Sequence, residues 1–235
     1  MTIPFSSFYH LHIAKCGGTY LNNVLLAPLK NDLINHNIFY INGADHLGWK
    51  ELERNYIVCS LRNPVKRTVS HYSFWRTGGG VNGRQPENPL DFLDWVDRHR
   101  SFISNYQVKN ILFTRLDFNY DIFQPTGSLD PTFANINIDK TLLSERLSQI
   151  NILLKDTQLN PECLSLTYEK IKKDMGIISP PTALSFDSKD NKVLKDSYEL
   201  YKALSHADKQ YLYEMNNIDS EIYFTNDFYF NKGVC

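Results

Sequence analysis

The sequence has no long apolar run and little net charge. No uninterrupted apolar stretch approaches the roughly 20 residues that a membrane helix needs, and residues 1–15 lack the basic and then apolar segments of a secretory signal. We therefore expect no membrane insertion and a cytoplasmic location. Residues 1–120 carry 13 Lys and Arg against 9 Asp and Glu, and residues 121–235 carry 12 against 17. A nucleic-acid-binding surface is normally far more basic, whereas a modest positive excess suits a small anionic ligand.

Cysteine is also scarce. The four residues Cys16, Cys59, Cys163 and Cys235 are widely separated and form no CxxC pair. This spacing indicates neither a zinc site nor a disulfide framework, so we expect no metal and reduced thiols.

Two segments follow the same order of strand, sharp turn and helix. "FYHLHI" (8–13) alternates and is predicted to be a strand, followed by a turn at 14–18 and a helix over 19–29 that Pro28 stops. "NYIVCSL" (55–61) is apolar enough for a strand covered on both faces. The helix over 62–76 then begins with Asn63 as N-cap and Pro64 at its first position.

The rest of the chain continues the mixture of strands and helices. We predict helices over 90–99 and 139–155, a late strand over 162–169, and one or two helices over 196–228, with loops over 77–89, 116–138 and 179–192. Strands interleaved with helices indicate an α/β class with a parallel sheet. At 235 residues the chain is predicted to form a single domain, 1–235.

The first turn, "HIAKCGGTYL" (12–21), has the composition of an anion site. Gly17 and Gly18 permit positive φ, which brings successive N–H groups into a concave nest. Lys15 adds a full positive charge, and Thr19 and Tyr20 open a helix whose N-terminus favours anions. The alternative is a tight turn with a surface lysine. A nucleoside triphosphate loop, GxxxxGK[ST], would have its lysine after the last glycine, and GxGxxG is absent.

The same residues resemble a known family. "HIAKCGGTYL" is similar to the "H-I-P-K-T-G-G-T" phosphosulfate-binding turn of sulfotransferases that use 3′-phosphoadenosine 5′-phosphosulfate (PAPS), above all the carbohydrate enzymes of the heparan sulfate 2-O and 6-O type. "IVCSLRNPVKRTVSHYSF" resembles the family's 3′-phosphate signature "LRDPxxRxxSxY", with Arg62 and Ser70 at the matching positions. Weaker similarities are "SNYQV" (104–108), like the family's Asn-x-Gln element, and "NNIDSEIYFTNDFY", like its C-terminal "N-x-x-D-x-x-x-Y". In this chain Ala14 and Cys16 replace the usual proline and threonine of the first motif.

The resemblance implies a P-loop-like three-layer α/β fold, in which a central, mainly parallel sheet is flanked by helices. It implies that the cofactor-binding residues Lys15, Cys16, Gly17, Gly18, Thr19 and Tyr20 hold the 5′-phosphosulfate, and that Arg62 and Ser70 hold the 3′-phosphate. A guanidinium suits a phosphate dianion because it offers paired donors and keeps its charge. Without the first motif, Arg62 could equally be a salt-bridge partner and Ser70 a packing residue.

The implied reaction transfers the sulfuryl group from PAPS to an acceptor hydroxyl, with 3′-phosphoadenosine 5′-phosphate (PAP) as product and no metal. The acceptor is expected to be a saccharide, and its identity and the oligomeric state stay open. Lys15 would stabilise the leaving phosphate. His46, in "NGADHLGWKEL", is the candidate base because that stretch resembles the "GLHADWTEL" segment of 6-O-sulfotransferases; Glu51 and Asp45 are second choices. His10 and His12 are expected to be structural.

Other interpretations are left open. Cys16 beside a helix N-terminus and Lys15 could be a reactive thiol, and Ser185, Lys189 and Lys192 lie where the family has a loop over the nucleotide. The alternative functions are a nucleotide or small-metabolite kinase and a non-catalytic nucleotide-binding protein.

Overall fold

The chain is described here by a computed structural model. The residues that the structure describes are 5–42, 49, 52, 55–77, 91–112, 135–180, 184–186 and 192–225. None of the helices among them has the length and apolar composition that a membrane span requires.

The described residues divide into two compact units. The first takes its residues from Met1–Arg62 and Ser144–Ser188, and the second from Asn63–Leu143 and Lys189–Thr225. We call them the sheet unit and the helical unit. The single domain over 1–235 stays a prediction.

The sheet unit contains a four-stranded parallel sheet. Its strands are β1 (Ser7–Leu11), β2 (Phe39–Asn42), β3 (Asn55–Leu61) and β4 (Ile152–Lys155), in the order β2-β1-β3-β4. All three pairings are parallel, with Ser7 opposite Asn55 and Leu61 opposite Lys155. The predicted α/β class with a parallel sheet is therefore confirmed, and the carboxyl ends of β1 and β3 are neighbours.

The helices of the sheet unit pack against one face of this sheet. They are α1 (Gly18–Leu21), a π-helical segment (Asn22–Leu26), α2 (Ala27–Asn35) and α8 (Pro161–Asp174), with a short 3-10 helix at Asp156–Gln158. Their apolar side chains form one core with alternate strand residues such as Phe8, Val58 and Leu154. All residues of β1 and β3 are buried, as expected for central parallel strands.

The sequence predicted that the first helical stretch stops at Pro28, and this was wrong. The stretch runs from Gly18 to Asn35, and Pro28 lies in the first turn of α2. The Ala27 N–H donates to the Asn22 carbonyl five residues back. This wider π-helical turn interrupts the regular ladder just where proline lacks an N–H, which lets the helix continue.

Two other predictions were wrong in the second half of the chain. Residues 139–155 form a helix only as α7 (Lys140–Gln149), and Ile152–Lys155 is strand β4. The predicted strand over 162–169 lies in helix α8. Its N-cap is Asn160, whose Oδ1 accepts from the Cys163 N–H at 3.0 Å, and Pro161 is its first residue. A short apolar run is compatible with either a strand or a helix. In this chain the N-cap at Asn160 starts helix α8, and pairing within the sheet makes Ile152–Lys155 a strand.

The helical unit confirms the helix start predicted at Asn63 and Pro64 and the helix predicted over 90–99. The prediction of one or two helices over 196–228 was wrong, because three of the described helices lie there and the first begins at Lys192. The helices of the unit are α3 (Pro64–Arg76), α4 (Phe92–Arg98), α5 (Arg100–Ile103), α6 (Tyr106–Leu112), α9 (Lys192–Ala203), α10 (His206–Met215) and α11 (Asn217–Thr225). Helix α7 contributes residues to both units. The Asn63 Oδ1 accepts from the N–H groups of Val65 at 3.1 Å and Lys66 at 3.2 Å, so Asn63 is the predicted N-cap.

The expectation of reduced thiols holds for two cysteines. Cys16 and Cys59 are buried thiols, and burial raises the pKa of Cys59 well above its ordinary value. For Cys163 the expectation was wrong, because Cys163 takes part in a disulfide.

Candidate functional site

The turn after β1 has an unusual backbone. Lys15 has φ 68° and Gly17 has φ 85°, both in the left-handed region. A lysine rarely adopts this conformation, so the surrounding structure must hold it there. Left-handed residues alternating with helical ones bring N–H groups to one side of a turn, which is the geometry of an anion nest.

Two side chains, Ser60 in β3 and Arg62 directly after it, fix the orientation of this turn. The Ser60 hydroxyl donates to the Cys16 carbonyl at 2.9 Å, and the half-buried Arg62 donates from Nη1 to the Lys15 carbonyl at 3.2 Å. In a trans peptide the C=O and the N–H point in opposite directions. Drawing the Cys16 carbonyl toward β3 therefore turns the Gly17 N–H away from the strand.

The helix that follows begins with N–H donors that its own ladder does not use. The first is on Gly18, and the ladder starts only with the Leu21 N–H, which donates to the Gly17 carbonyl at 2.9 Å. The N–H groups of Gly18, Thr19 and Tyr20 precede it and have no backbone acceptor among the described residues. Thr19 is exposed, and Lys15 and Tyr20 are half-buried. The turn thus combines N–H donors, a hydroxyl and a lysine within a few residues.

Both glycines of the turn are required by close packing as well. A Cβ on Gly17 would lie 2.5 Å from Leu159 Cδ1, and φ at this position already favours glycine. A Cβ on Gly18 would lie 2.2 Å from Nε2 of His12. The turn therefore lies directly against the His12 ring and against the loop after β4.

His12 is stacked on a second histidine within β1. The ring centroids of His10 and His12 are 5.3 Å apart with an interplanar angle of 26°. His10 is 2% exposed, and its Nε2 has no hydrogen-bond partner in the described part of the chain. Burial, together with the neighbouring His12, lowers the pKa of His10 to about 3, so His10 is neutral at physiological pH.

The Cys16 side chain points into the protein. Its thiol is 0% exposed, and the S–H donates weakly to the Ala14 carbonyl at 3.8 Å. The Cys16 N–H donates to the Ile13 carbonyl at 3.3 Å. Cys16 therefore helps to shape the turn from inside, and the exposed surface of the turn comes from its neighbours.

Sequence reasoning missed a third strand end at the same edge of the sheet. The last residue of β4, the half-buried Lys155, pairs in register with Leu61, the residue before Arg62. Leu159, three residues after the short helix begins, packs against Gly17. The sequence signal for this strand is the apolar run "ILL", which is buried in the structure. The run was predicted to belong to a helix, so the strand was missed.

Ser70 belongs to a different unit from the residues of the turn. It belongs to α3 of the helical unit and is 2% exposed. In the same helix, Arg67 Nη2 donates to Nδ1 of His71 at 2.5 Å, and the His71 ring lies among the rings of Trp95, Phe102 and Tyr106. The role of Ser70 in phosphate binding stays a prediction.

The candidate base lies outside the described residues. This holds for His46 and for the second choices Asp45 and Glu51, as well as for Lys189 and the side chain of Lys192. The loops over 77–89 and 116–138 are also outside, except at their edges, and Ser185 lies in a described stretch without regular structure.

The two weaker sequence elements meet in the helical unit. The Asn105 Oδ1 accepts from the N–H groups of Ile218 at 2.9 Å and Asp219 at 3.1 Å, and so caps α11. In return, the Asp219 carboxylate accepts from the N–H groups of Gln107 at 3.1 Å and Val108 at 2.8 Å, and so caps α6. "SNYQV" and "NNID" therefore form a reciprocal pair of helix caps, which we call the cap pair.

The cap pair surrounds a buried carboxylate with internal donors. Asp219 is 2% exposed, and burial raises its pKa although the N–H groups of Val108 and Gln107 and the charge of Arg67 act against this. Arg67 itself is 0% exposed, and its guanidinium lies 3.8 Å from the centroid of the Tyr106 ring. These contacts hold three helices together in the helical unit.

Comparison with protein-family models, curated proteins and solved structures gave no match to this chain.

Proposed function

We propose that the chain is a sulfotransferase that moves the sulfuryl group of PAPS to an acceptor hydroxyl. The observation that supports it best is the contact between Arg62 Nη1 and the Lys15 carbonyl at 3.2 Å. It joins the two sequence motifs at the neighbouring carboxyl ends of β1 and β3. Ligands of parallel α/β sheets collect at this edge.

The chemistry of the turn fits an anionic nucleotide. Lys15, Thr19 and the N–H groups of Gly18, Thr19 and Tyr20 supply cationic and neutral donors for a phosphosulfate, and Arg62 supplies a guanidinium for the 3′-phosphate. In this proposal Ser70 adds a hydroxyl to the same phosphate. The finer fold description, a single P-loop-like domain with three layers, belongs to the proposal as well.

The proposed step is an in-line displacement at sulfur. The acceptor oxygen forms a bond to sulfur while the bond from sulfur to the 5′-phosphate oxygen breaks, and the electron pair leaves with that oxygen to give PAP. His46 takes the proton of the acceptor hydroxyl, and Lys15 stabilises the charge on the leaving phosphate. No metal takes part.

The acceptor in this proposal is a carbohydrate hydroxyl, because the sequence resemblance is to carbohydrate enzymes. The proposal places the reaction in the cytoplasm, with neither nucleic acid nor a membrane as partner.

Calorimetry with PAP, and separately with ATP plus Mg²⁺, tests the donor. We expect PAP to bind and ATP with Mg²⁺ to bind more weakly; preference for ATP would favour a kinase instead. Release of labelled sulfate from PAPS across a panel of sugars, lipids, phenols and peptides then tests catalysis. Binding of PAP without transfer to any acceptor would favour a non-catalytic nucleotide-binding protein, and a chelator should leave transfer intact.

The base is tested by His46→Ala. We expect turnover to fall by about 10²–10⁴-fold, with the affinity for PAP retained, because a general base acts on the acceptor and not on the donor. The matched control is His206→Ala, which removes an exposed histidine at the start of α10. Unchanged turnover in His46→Ala would exclude His46 as the base and direct attention to Asp45 and Glu51.

A further inference from the structure

His12 lies between the end of β1 and the turn that carries Lys15 and the two glycines. Its sequence position predicted a structural role, as for His10. The structure separates these two histidines, because His10 is buried and His12 is only half-buried.

The His12 ring occupies the side-chain direction of Gly18. Its Nε2 and Cδ2 lie 2.2 and 2.3 Å from where a Gly18 Cβ would be, and Cε1 lies 3.3 Å away, so the Nε2 edge faces Gly18. Every Cα–Cβ bond in a helix tilts toward the helix N-terminus. The Nε2 edge of His12 is therefore on the same side as the N–H donors that open the helical stretch Gly18–Asn35.

His10 supports this ring without adding charge to it. Its pKa of about 3 keeps it neutral across the range in which histidine normally titrates. Among the residues that the structure describes, the other charged groups at the turn are Lys15 and Arg62, which meet through the Lys15 carbonyl. A proton on His12 would bring a further positive charge to a turn that already carries these two cations.

We propose that His12 is a ligand-contacting residue, whose protonated Nε2–H donates to an oxygen of the phosphate or phosphosulfate group held by the turn. This inference rests on the proposed function for the identity of the anion, but on the geometry of His12 and Gly18 for the contact. Neutral imidazole offers a weaker donor or a lone pair at the same position, so the anion binds more weakly when His12 loses its proton. His12 then makes the affinity of the turn for its anion depend on pH.

The test is calorimetry with PAP at pH 6.0 and pH 8.0 on the wild-type protein, His12→Gln and His12→Phe. The phosphates of PAP titrate near pH 6 themselves, so the measured quantity is the difference between variant and wild type at each pH. We expect both variants to bind about tenfold more weakly than wild type at pH 6.0, as the loss of a charged hydrogen bond predicts, and nearly as well at pH 8.0. A merely structural role would lower affinity equally at both pH values. The control His206→Gln should match wild type at both.

A second measurement follows the His12 ring of the wild-type protein directly and uses a variant only to assign its resonance. Nitrogen-15 labelling of the histidines in the wild-type protein should show one ring resonance that moves toward the protonated form when PAP is added, and His12→Gln identifies it. If PAP binds but that resonance does not move, or the variants show no pH-dependent loss of affinity, the inference about His12 is wrong and the proposed function is untouched.

Binding of pyrophosphate tests the His12 contact independently of the proposed PAPS function. If PAP fails to bind but pyrophosphate binds with the same His12-dependent pH profile, His12 is a ligand contact and the PAPS function is wrong. If neither binds, both are wrong.

Discussion

The turn after β1 in the sheet unit and the cap pair in the helical unit are both rich in polar groups. They differ in whether their backbone N–H groups find acceptors within the protein. In the cap pair, the Asp219 carboxylate and the Asn105 amide accept from four backbone N–H groups within the protein. In the turn, the side chains of Ser60 and Arg62 donate to the carbonyls of Cys16 and Lys15, while the first N–H groups of the helix have no backbone acceptor among the described residues.

This difference separates a structural motif from a candidate binding motif. Buried polar groups that satisfy one another stabilise a fold, because each lost partner leaves a desolvated group behind. Donors that a fold holds in place without using them are available to a ligand. The cap pair therefore has a structural role, whereas the turn is the candidate for ligand binding.

Asp219→Ala should produce the largest effect and would show the structural character of the cap pair. The change leaves the N–H groups of Gln107 and Val108 buried without their acceptor, and we expect the free energy of unfolding to fall by about 3 kcal/mol. Urea denaturation measures it. The control Glu221→Ala removes a carboxylate that is 53% exposed on the same helix and should cost less than about 1 kcal/mol. Equal losses in the two variants would contradict the comparison.

Arg62→Ala should act mainly on binding instead. We expect PAP to bind more weakly by roughly 1.5–3 kcal/mol, because a charged hydrogen bond to phosphate is lost, while the free energy of unfolding changes by less than about 1 kcal/mol for a half-buried side chain. Calorimetry and urea denaturation together measure both. Lys173→Ala, which removes an exposed cation at the end of α8, should leave PAP affinity unchanged. If Arg62→Ala costs stability and spares affinity, the turn is structural like the cap pair.

Local signals were enough to predict the elements that meet in the turn. Strand β3 has the predicted bounds 55–61, and α3 starts where Asn63 and Pro64 indicated. Both predictions use residues that are close in sequence. The contact of Arg62 with the Lys15 carbonyl joins two distant segments at the carboxyl edge that parallel strands share.

The features that could not be predicted depend on approaches between distant residues. Nothing in "ILLK" distinguishes a strand from a helix until Asn151 pairs with Ile57 of β3, whose N–H donates to the Asn151 Oδ1 at 2.7 Å. Likewise, only the folded chain brings Leu159 to Gly17 and Asp219 to the start of α6. The cap pair therefore remained a family resemblance without a physical role until its hydrogen bonds were known.

The last and smallest effect concerns His10, a buried group beside the turn that behaves unlike the cap pair. Its Nε2 has no hydrogen-bond partner among the residues described, and its pKa lies near 3 in the folded protein against about 6.5 in an unfolded chain. Between these values the unfolded state binds a proton that the folded state does not, so stability falls as the pH is lowered from about 6.5 toward 3. Phenylalanine at this position cannot take up that proton.

His10→Phe should therefore make the protein less sensitive to acid. Relative to wild type, we expect the variant to gain about 1 kcal/mol of unfolding free energy when the pH is lowered from 7 to 5.5, since one pH unit below the ordinary pKa corresponds to roughly that energy. Urea denaturation of both proteins at the two pH values gives the difference, in which titrations common to both cancel. Parallel losses in wild type and variant would mean that His10 is protonated in the folded protein. His10 would then be a second cation beneath His12, and the separation of a neutral support from a charged ligand contact would no longer hold.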